Sequence, residues 1–142
     1  MTEFILIVHD DAESAQSIQS LMRLGRIVSR TASSEAEALK VLGAPDAWAA
    51  CVGCVIDMRL PEGLDAGTRL AKWIRQQERG PSARRKRIVG VTAHTAAAKF
   101  GPDFDVGLHS PYSPADLLEA FAKPDLARPN SRSETRRRAR AR

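Results

Sequence analysis

Short apolar runs alternate along the chain with stretches in which apolar residues recur every three or four positions. The run Phe4–Val8 is apolar at every position, which is typical of a strand buried on both faces of a parallel sheet. In the next stretch, residues 12–24, Ile18 and Met22 fall on one face of a helix. Gly25 follows and predicts the end of that helix. The chain therefore begins with a strand followed by a helix.

The same alternation continues to residue 122. Ser33 or Ser34 caps the second helix and Gly43 ends it, while Ser113 followed by Pro114 starts the last helix. Five strands that alternate with helices predict an α/β fold with a doubly wound parallel sheet. The other strands are predicted at 26–31, 51–56, 88–91 and 106–109, and the other helices at 66–77, 96–100 and 116–122.

The length of the chain fits one domain, because 142 residues can bury a core without disulfide bonds. Its formal net charge of +5 and sequence pI of about 9.8 first indicate nucleic acid or a membrane surface as a partner. Residues 124–142, however, contain seven arginines against Asp125 and Glu134, so this segment holds the excess positive charge. We expect a folded domain at 1–123 and a disordered, Arg-rich tail at 124–142.

Several other classes of protein are excluded. No apolar run approaches the roughly 20 residues of a membrane-spanning helix, and no basic region precedes the first apolar run as in a secretory signal. Cys51 and Cys54 are the only cysteines. Three positions apart on a strand, they are expected to point to opposite faces and not to share a metal ion. We therefore expect a cytoplasmic protein whose cysteines are small, reduced core residues.

The residues that directly follow the strands carry the candidate chemistry, since the functional groups of such sheets gather beyond the carboxyl ends of the strands. Asp10 and Asp57 lie after the first and third strands, and Thr92 ends the fourth. Two carboxylates can hold a divalent cation such as Mg²⁺, and an aspartate beside Mg²⁺ can accept a phosphoryl group. The simpler interpretation is that Asp10 caps the first helix and that Asp57 is a loop acid.

Four segments together resemble the receiver domain of response regulators in two-component signalling: ILIVHDD, VIDMRLPEGLDAG, GVTAH and LHSPYSPADLLEAF. The resemblance covers about residues 3–122, and the D-x-x-L-P loop is its most specific part. It implies a flavodoxin-like (βα)5 fold with Asp57 as the phosphoacceptor. It also implies that Mg²⁺ is held by Asp10, Asp57 and the backbone carbonyl of Arg59. The hydroxyl of Thr92 matches the family residue that contacts the phosphoryl group.

The chain departs from the family pattern around this site. His9 stands where the family usually has the first of two acids, although a second alignment would make Asp10 and Asp11 the pair. The positions of the apolar residues in the first helix favour the alignment with His9. Ser110 replaces a lysine that would pair with the phosphoryl group, and Gly107 replaces the switch aromatic of the fifth strand. The connection before the fifth strand is also short for the family, which leaves room for only a short helix.

The resemblance implies a stand-alone response regulator in phosphorelay signal transduction. A cytoplasmic histidine kinase would donate a phosphoryl group to Asp57 in the presence of Mg²⁺, and the product would act on a protein partner that the sequence does not identify. The alternative is a pseudo-receiver that acts without phosphate, through protein–protein interaction or dimerisation. No other catalytic constellation is present, so we do not expect an enzyme that turns over a substrate.

Two further groups of residues allow a second interpretation. His9, His94 and His109 lie at or near strand ends, and two imidazoles with a carboxylate could hold Zn²⁺ or Ni²⁺; scattered polar residues are the simpler interpretation. The basic run 84–87 and the end of the tail could bind phosphate backbones. No aromatic residue interleaves these arginines, so we expect a solvated linker and tail and neither a nucleic-acid nor a membrane partner.

Overall fold

Five parallel strands form one sheet in the order β2-β1-β3-β4-β5. This is a computed structural model, and it describes residues 2–79, 84–93 and 100–122. The strand order and the parallel pairing confirm the predicted doubly wound sheet. The strands are β1 (Phe4–Val8), β2 (Ser29–Ala32), β3 (Cys51–Asp57), β4 (Arg87–Thr92) and β5 (Val106–His109). The helices are α1 (Ala12–Leu24), α2 (Glu35–Leu42), α3 (Pro45–Ala50), α4 (Ala66–Gln77) and α5 (Pro114–Ala122).

Burial follows the position of each strand in the sheet. All five residues of β1 are buried, and β3 and β4 are buried at nearly every position, because helices cover both faces of the central strands. The edge strands β2 and β5 are partly exposed. The continuous apolar runs in the sequence therefore belong to the central strands.

Two apolar cores lie on opposite faces of the sheet. One core joins Ile7 and Val89 of the sheet to α1 and α5, through residues such as Met22 and Leu117. The other joins alternate residues of the same strands to α2, α3 and α4. Because side chains alternate along a strand, each central strand contributes residues to the cores on both faces of the sheet.

Serine side chains fix the beginnings of two helices, as the sequence predicts. The hydroxyl oxygen of Ser34 accepts a hydrogen bond from the amide of Glu37 at 3.0 Å. The hydroxyl oxygen of Ser113 accepts one from the amide of Asp116 at 3.0 Å. Each bond satisfies an amide that has no partner inside its helix.

The end of α1 differs in one detail from the prediction. Gly25 is the C-cap residue of α1, but its φ of −84° lies in the region that any residue adopts. The following residue, Arg26, takes the left-handed conformation with a φ of 61°. A glycine at the helix end therefore does not identify the residue that reverses the chain.

The two cysteines point to the same face of the sheet, which corrects the prediction from sequence. Phe4 of β1 pairs with Cys51, but the next residue, Ile5, pairs with Gly53. This β-bulge adds one residue to β3 and shifts the alternation of its side chains. The sulfur atoms of Cys51 and Cys54 consequently lie 4.0 Å apart in one core, where both are buried.

Helix α3 is absent from the sequence prediction. The chain leaves α2 at Gly43 and re-enters a helix with Pro45 in its first turn. Trp48 of α3 covers Lys86, whose ammonium lies 4.0 Å from the ring centroid. This ammonium donates to the carbonyl oxygens of Trp48 and Cys51 at 2.6 and 2.7 Å, and burial lowers the pKa of Lys86. A buried cation thus lies at the amino edge of the sheet.

An ion-pair network holds residues 103–105, at the described end of the connection between β4 and β5, against α4. Arg75 of α4 pairs with Asp105 at 2.7 Å and with Glu78 at 2.9 Å, and it donates to the carbonyl oxygen of Asp103 at 3.0 Å. Arg85 also pairs with Asp105 at 2.7 Å. The side chains of Arg75 and Asp105 are only 12% and 6% exposed, so the network anchors this connection to α4 from within the protein.

Candidate functional site

The carboxyl ends of β1, β3 and β4 meet at one edge of the sheet. Val8, the last residue of β1, pairs with Ile56 of β3, and Asp57 pairs with Val91 of β4. The register therefore brings residues 9–11, Asp57 and the end of β4 together, as expected for the carboxyl edge of a parallel sheet.

Three side chains that can bind a metal ion converge at this edge. His9, Asp10 and Asp57 each offer a ligand atom, and these atoms all lie within 4.8 Å of one another. The Nδ1 atom of His9 is 3.8 Å from Oδ1 of Asp10 and 3.6 Å from Oδ2 of Asp57. The side chains of His9 and Asp57 are 16% and 14% exposed, whereas Asp10 is 48% exposed. The cluster is thus half-buried and opens to solvent on the side of Asp10.

Asp11 has a different role from its neighbour. Its carboxylate accepts hydrogen bonds from the amide and the hydroxyl of Ser14 at 3.2 and 2.5 Å, and it caps α1. The hydroxyl bond from Ser14, followed by the amide bond, holds the pKa of Asp11 below its usual value. His9 and Asp10 therefore lie with Asp57, whereas Asp11 caps α1. This arrangement favours the alignment that places His9 at the first acidic position over the alternative in which Asp10 and Asp11 are the pair.

A tight turn follows Asp57. The amide of Arg59 donates to Oδ1 of Asp57 at 3.3 Å. Leu60 is buried and exchanges backbone hydrogen bonds with Gly63 at 3.3 and 2.8 Å. Helix α4 begins close behind, because Gly67 has no side chain: a Cβ there would lie 2.6 Å from the carbonyl oxygen of Asp57. The turn thereby keeps Arg59, which carries the carbonyl expected to bind Mg²⁺, next to Asp57.

Glu62 ties the tip of this turn to α2. Its carboxylate accepts the amides of Glu35 and Ala36 at 2.9 Å each. These two bonds, with Ala36 the larger influence, lower the pKa of Glu62. Arg69 of α4 completes the contact by pairing with Glu35 at 2.6 Å. The turn that carries Arg59 is therefore held from two helices.

Thr92 and Ser110 are joined through their backbones. Thr92 is the last residue of β4 and is 4% exposed. The amide of Ser110 donates to its carbonyl oxygen at 2.7 Å, and a cis peptide bond joins Ser110 to Pro111. The neutral hydroxyl of Ser110 supplies no positive charge at the end of β5.

Tyr112 is a site residue that sequence reasoning missed. It follows the cis peptide and packs against the core between α1 and α5. Burial raises the pKa of Tyr112, and the negative charge of Asp57 raises it further. The phenol of Tyr112 therefore interacts electrostatically with the carboxylate of Asp57, the expected phosphoacceptor. The sequence signal was the aromatic residue of the Ser-Pro-Tyr segment, whose direction no local pattern reveals.

Gly107 makes room for an aromatic ring from elsewhere in the chain. A Cβ on Gly107 would lie 2.1 Å from Phe100, and one on Gly90 would lie 2.5 Å from the same ring. Phe100 also makes edge-to-face contacts with Phe104 and His109, with ring centroids 5.6 and 5.2 Å apart. The space left by the absent switch aromatic on β5 is thus filled by Phe100. Phe100 itself is not helical, and the rest of the helix predicted at 96–100 lies outside the described residues.

Among the described residues, the remaining candidate His109 is not part of this cluster. His109 lies at the end of β5 and contacts Phe100 edge to face, while His94 and the basic tail at 124–142 lie outside the described residues. In the basic run 84–87, Arg84 pairs with Glu3 at 2.8 Å. Over the described ranges, no helix combines the length and apolar character that crossing a membrane requires.

Solved structures with a similar fold are receiver domains. The CheY-like response regulator receiver domain from Methanospirillum hungatei JF-1 is 21% identical over 84% of this chain and 90% of that chain, with a TM-score of 0.64. The receiver domain from Methylobacillus flagellatus is 22% identical over 82% of this chain and 93% of that chain, with a TM-score of 0.65. The BeF3-activated DrrB receiver domain is 16% identical over 84% and 93%, with a TM-score of 0.62.

No family model matches the chain, and no curated protein does either. The structural similarity shows that the chain has the flavodoxin-like fold of response-regulator receiver domains. That finding confirms the fold implied by the four sequence segments.

Proposed function

We propose that this protein is a response regulator whose receiver domain accepts a phosphoryl group on Asp57 from a histidine kinase. The observation that carries the proposal is the convergence of Asp57 with Asp10 and His9, all with ligand atoms within 4.8 Å, at the carboxyl edge of a receiver fold. One similar structure is a receiver domain activated by BeF3, a compound with the shape and charge of a phosphoryl group.

The transfer needs an exposed oxygen nucleophile and a leaving group. A carboxylate oxygen of Asp57 attacks the phosphorus of a phosphohistidine, so that a P–O bond forms while the P–N bond breaks. The electron pair goes to the imidazole nitrogen of the kinase, which takes up a proton from solvent. The 14% exposure of Asp57 leaves the carboxylate reachable while the turn at Arg59 fixes its orientation.

The donor set at the site fits a divalent cation. Asp10, Asp57 and the backbone carbonyl of Arg59 would hold Mg²⁺, since carboxylate and carbonyl oxygens are its preferred protein ligands. When bound, the ion neutralises charge on the transferring oxygens. The fit is incomplete in one respect, because His9 contributes a nitrogen where Mg²⁺ favours oxygen.

Other residues of the chain would bind the transferred group. The hydroxyl of Thr92 contacts a phosphoryl oxygen, and the backbone bond between Thr92 and Ser110 couples this contact to the end of β5. Ser110 leaves the phosphoryl group without the cation that a lysine would supply. We therefore expect a phosphorylated state whose signal passes to β5 through the backbone.

A phosphate-independent pseudo-receiver is the second candidate. It is favoured by the lack of a cation at Ser110 and by Phe100, which fills the space above Gly107. The variant Ser110→Lys separates the two candidates. A wild type that takes up almost no phosphate, beside a variant that is readily phosphorylated, would show that the native site is impaired and would favour interaction or dimerisation as the mode of action.

The proposal extends to location, domains and partners. The protein acts in the cytoplasm with a sensor histidine kinase as its donor and with a downstream protein partner. We assign the receiver domain to residues 1–123 and leave the Arg-rich segment 124–142 outside it. The arginines of this segment would bind a protein partner and not nucleic acid, because no aromatic residue lies between them.

A small phosphodonor tests the proposal without knowledge of the kinase. The full chain is incubated with acetyl phosphate and Mg²⁺, and the intact mass is measured for wild type, Asp57→Asn and Asp11→Asn. We expect a phosphoryl adduct on wild type and on the Asp11 variant, because Asp11 caps α1, and none on the Asp57 variant. An unmodified wild type, or an adduct that survives in the Asp57 variant, contradicts the proposal.

A further inference from the structure

The geometry points to a metal preference different from that expected of an all-oxygen site: His9, Asp10 and Asp57 bind Zn²⁺ or Co²⁺ in preference to Mg²⁺, with Nδ1 of His9 as a direct ligand. The inference rests on the proposed function only in using the same two carboxylates. It concerns which ion they bind, and that can be measured without any phosphoryl transfer.

The spacing of the three donor atoms fits a single small ion. Zn²⁺ binds imidazole nitrogen and carboxylate oxygen at about 2.0–2.2 Å, so two donors at a tetrahedral angle lie about 3.4 Å apart. In the structure, Nδ1 of His9 lies 3.6 Å from Oδ2 of Asp57 and 3.8 Å from Oδ1 of Asp10. Closing on an ion requires the two pairs that include His9 to approach by only a few tenths of an ångström, while the ligand atoms of Asp10 and Asp57, which lie within 4.8 Å of each other, would have to approach by up to about 1.4 Å.

The imidazole presents a lone pair at this atom. The amide of Asp11 donates to Nδ1 of His9 at 3.2 Å, so Nδ1 is an acceptor and a neutral ring carries its proton on Nε2. A metal ligand needs the same arrangement. The bond to the amide is long, and Asp11 is exposed, so water can replace the imidazole as the acceptor when a metal ion takes the lone pair.

Having His9 in place of an acid changes the affinity of the site by different amounts for different ions. Removing one carboxylate weakens the electrostatic attraction for every dication by a similar amount. Only ions with a high affinity for imidazole recover that loss through a bond to nitrogen, and Zn²⁺ and Co²⁺ belong to this group. Mg²⁺ prefers oxygen and gives up its waters reluctantly, so it gains little from His9.

Among the residues that the structure describes, two other places can take up Zn²⁺ and must be separated from this site. Cys51 and Cys54 have sulfur atoms 4.0 Å apart but are buried at the start of β3, away from its carboxyl edge. His109 is exposed and lies on β5. Neither place contains a carboxylate of the candidate site, so changes at His9 leave both unaffected.

Isothermal titration calorimetry of the full chain with Zn²⁺, Co²⁺ and Mg²⁺ measures the preference. We expect wild type to bind Zn²⁺ more than about tenfold more tightly than Mg²⁺. In His9→Asp, which restores three carboxylates, Mg²⁺ binding strengthens and Zn²⁺ binding weakens. His109→Asn is the matched control, since it removes an imidazole outside the site and keeps the wild-type ratio. Far-UV circular dichroism checks that each variant is folded.

The visible absorption of the Co²⁺ complex gives an independent reading. Nitrogen and oxygen ligands give weak d–d bands alone, whereas thiolate ligands add an intense charge-transfer band in the near ultraviolet. We expect only the weak bands and expect them to change in His9→Asp. An intense thiolate band that persists in this variant would place the ion at the cysteines and overturn the inference.

The outcomes separate this inference from the proposed function. Equal affinity for Zn²⁺ and Mg²⁺ in wild type, or an unchanged ratio in His9→Asp, overturns the metal preference even when Asp57 is phosphorylated. A His9-dependent preference for Zn²⁺ in a chain that fails to accept phosphate upholds the inference while the proposed function fails.

Discussion

The packing of Phe100 over Gly107 allows a prediction whose sign depends on a second residue. An alanine Cβ at Gly107 would lie 2.1 Å from Cδ2 and 2.5 Å from Cε2 of the Phe100 ring. Non-bonded carbon atoms pack at about 3.5–4.0 Å, so the ring or β5 must move by more than about 1 Å. Gly107→Ala therefore strains the protein even though alanine is the smallest substitution available.

The expected magnitude follows from two opposing effects. Overpacking of this kind costs about 1–3 kcal/mol. Replacing glycine by alanine inside a strand gains about 0.5–1 kcal/mol, because the unfolded chain loses conformational freedom. The net effect of Gly107→Ala on wild type is a loss of up to about 2.5 kcal/mol in the free energy of unfolding. In a Phe100→Ala background the steric conflict is absent, and the same substitution should stabilise the protein by about 0.5–1 kcal/mol.

Urea denaturation followed by circular dichroism measures the four proteins of this double-mutant cycle. Gly101→Ala is the matched control, because a Cβ there would meet nothing within 4 Å; it should be neutral or slightly stabilising in both backgrounds. If Gly107→Ala costs the same with and without the Phe100 ring, or stabilises wild type, the assignment of Phe100 to this space is wrong.

Four further predictions concern charge. Arg75→Ala should lower the free energy of unfolding by up to about 3–5 kcal/mol, because it removes the cation shared by the buried carboxylates of Asp105 and Glu78 and leaves Asp105, among the described residues, only Arg85 as an ion-pair partner. Arg84→Ala removes an exposed pair worth about 0–1 kcal/mol, and equal losses in urea denaturation would contradict this. Tyr112 is the only tyrosine, so the ultraviolet absorbance of tyrosinate reports its pKa. This pKa should fall in Asp57→Asn but remain above the ordinary value, because burial is the larger cause; an unchanged or higher pKa refutes the electrostatic influence of Asp57. Since the pKa of Tyr112 is raised on folding, its contribution to stability is present below about pH 10 and is lost as pH rises through the folded-state pKa, and a loss of this contribution on acidification would contradict the sign. Ser110→Lys should prolong or increase phosphorylation by acetyl phosphate because it adds a cation beside the phosphoryl group, and no effect on either would mean that position 110 does not face the transferred group.

Long periodic segments with clear boundaries could be predicted from the sequence. Helices α1 and α4 begin and end where their apolar periodicity and flanking residues predict. The run of apolar residues in β1 identifies a strand buried on both faces. The meeting of Asp10 and Asp57 also followed from local pattern, because parallel strands place their carboxyl ends at one edge of the sheet. The family resemblance, and not this geometry, supplied the roles of the two acids.

The features that the sequence did not predict depend on contacts between distant segments. The bulge in β3 arises from its register with Phe4 and Ile5, and this register turns Cys51 to the same face as Cys54. The ring of Phe100 fills the space above Gly107 across a connection that has no periodic pattern. The influence of Asp57 on Tyr112 likewise appears only when β3 and the segment after β5 are placed side by side.

The most direct test of the central claim identifies the residue that carries phosphate. The chain is phosphorylated with acetyl phosphate and reduced with borohydride, which converts an aspartyl phosphate to homoserine, and its peptides are sequenced by mass spectrometry. We predict homoserine at position 57 and an unchanged aspartate at Asp10. Homoserine at another position, or unmodified Asp57 after treatment of a folded protein, would contradict the account.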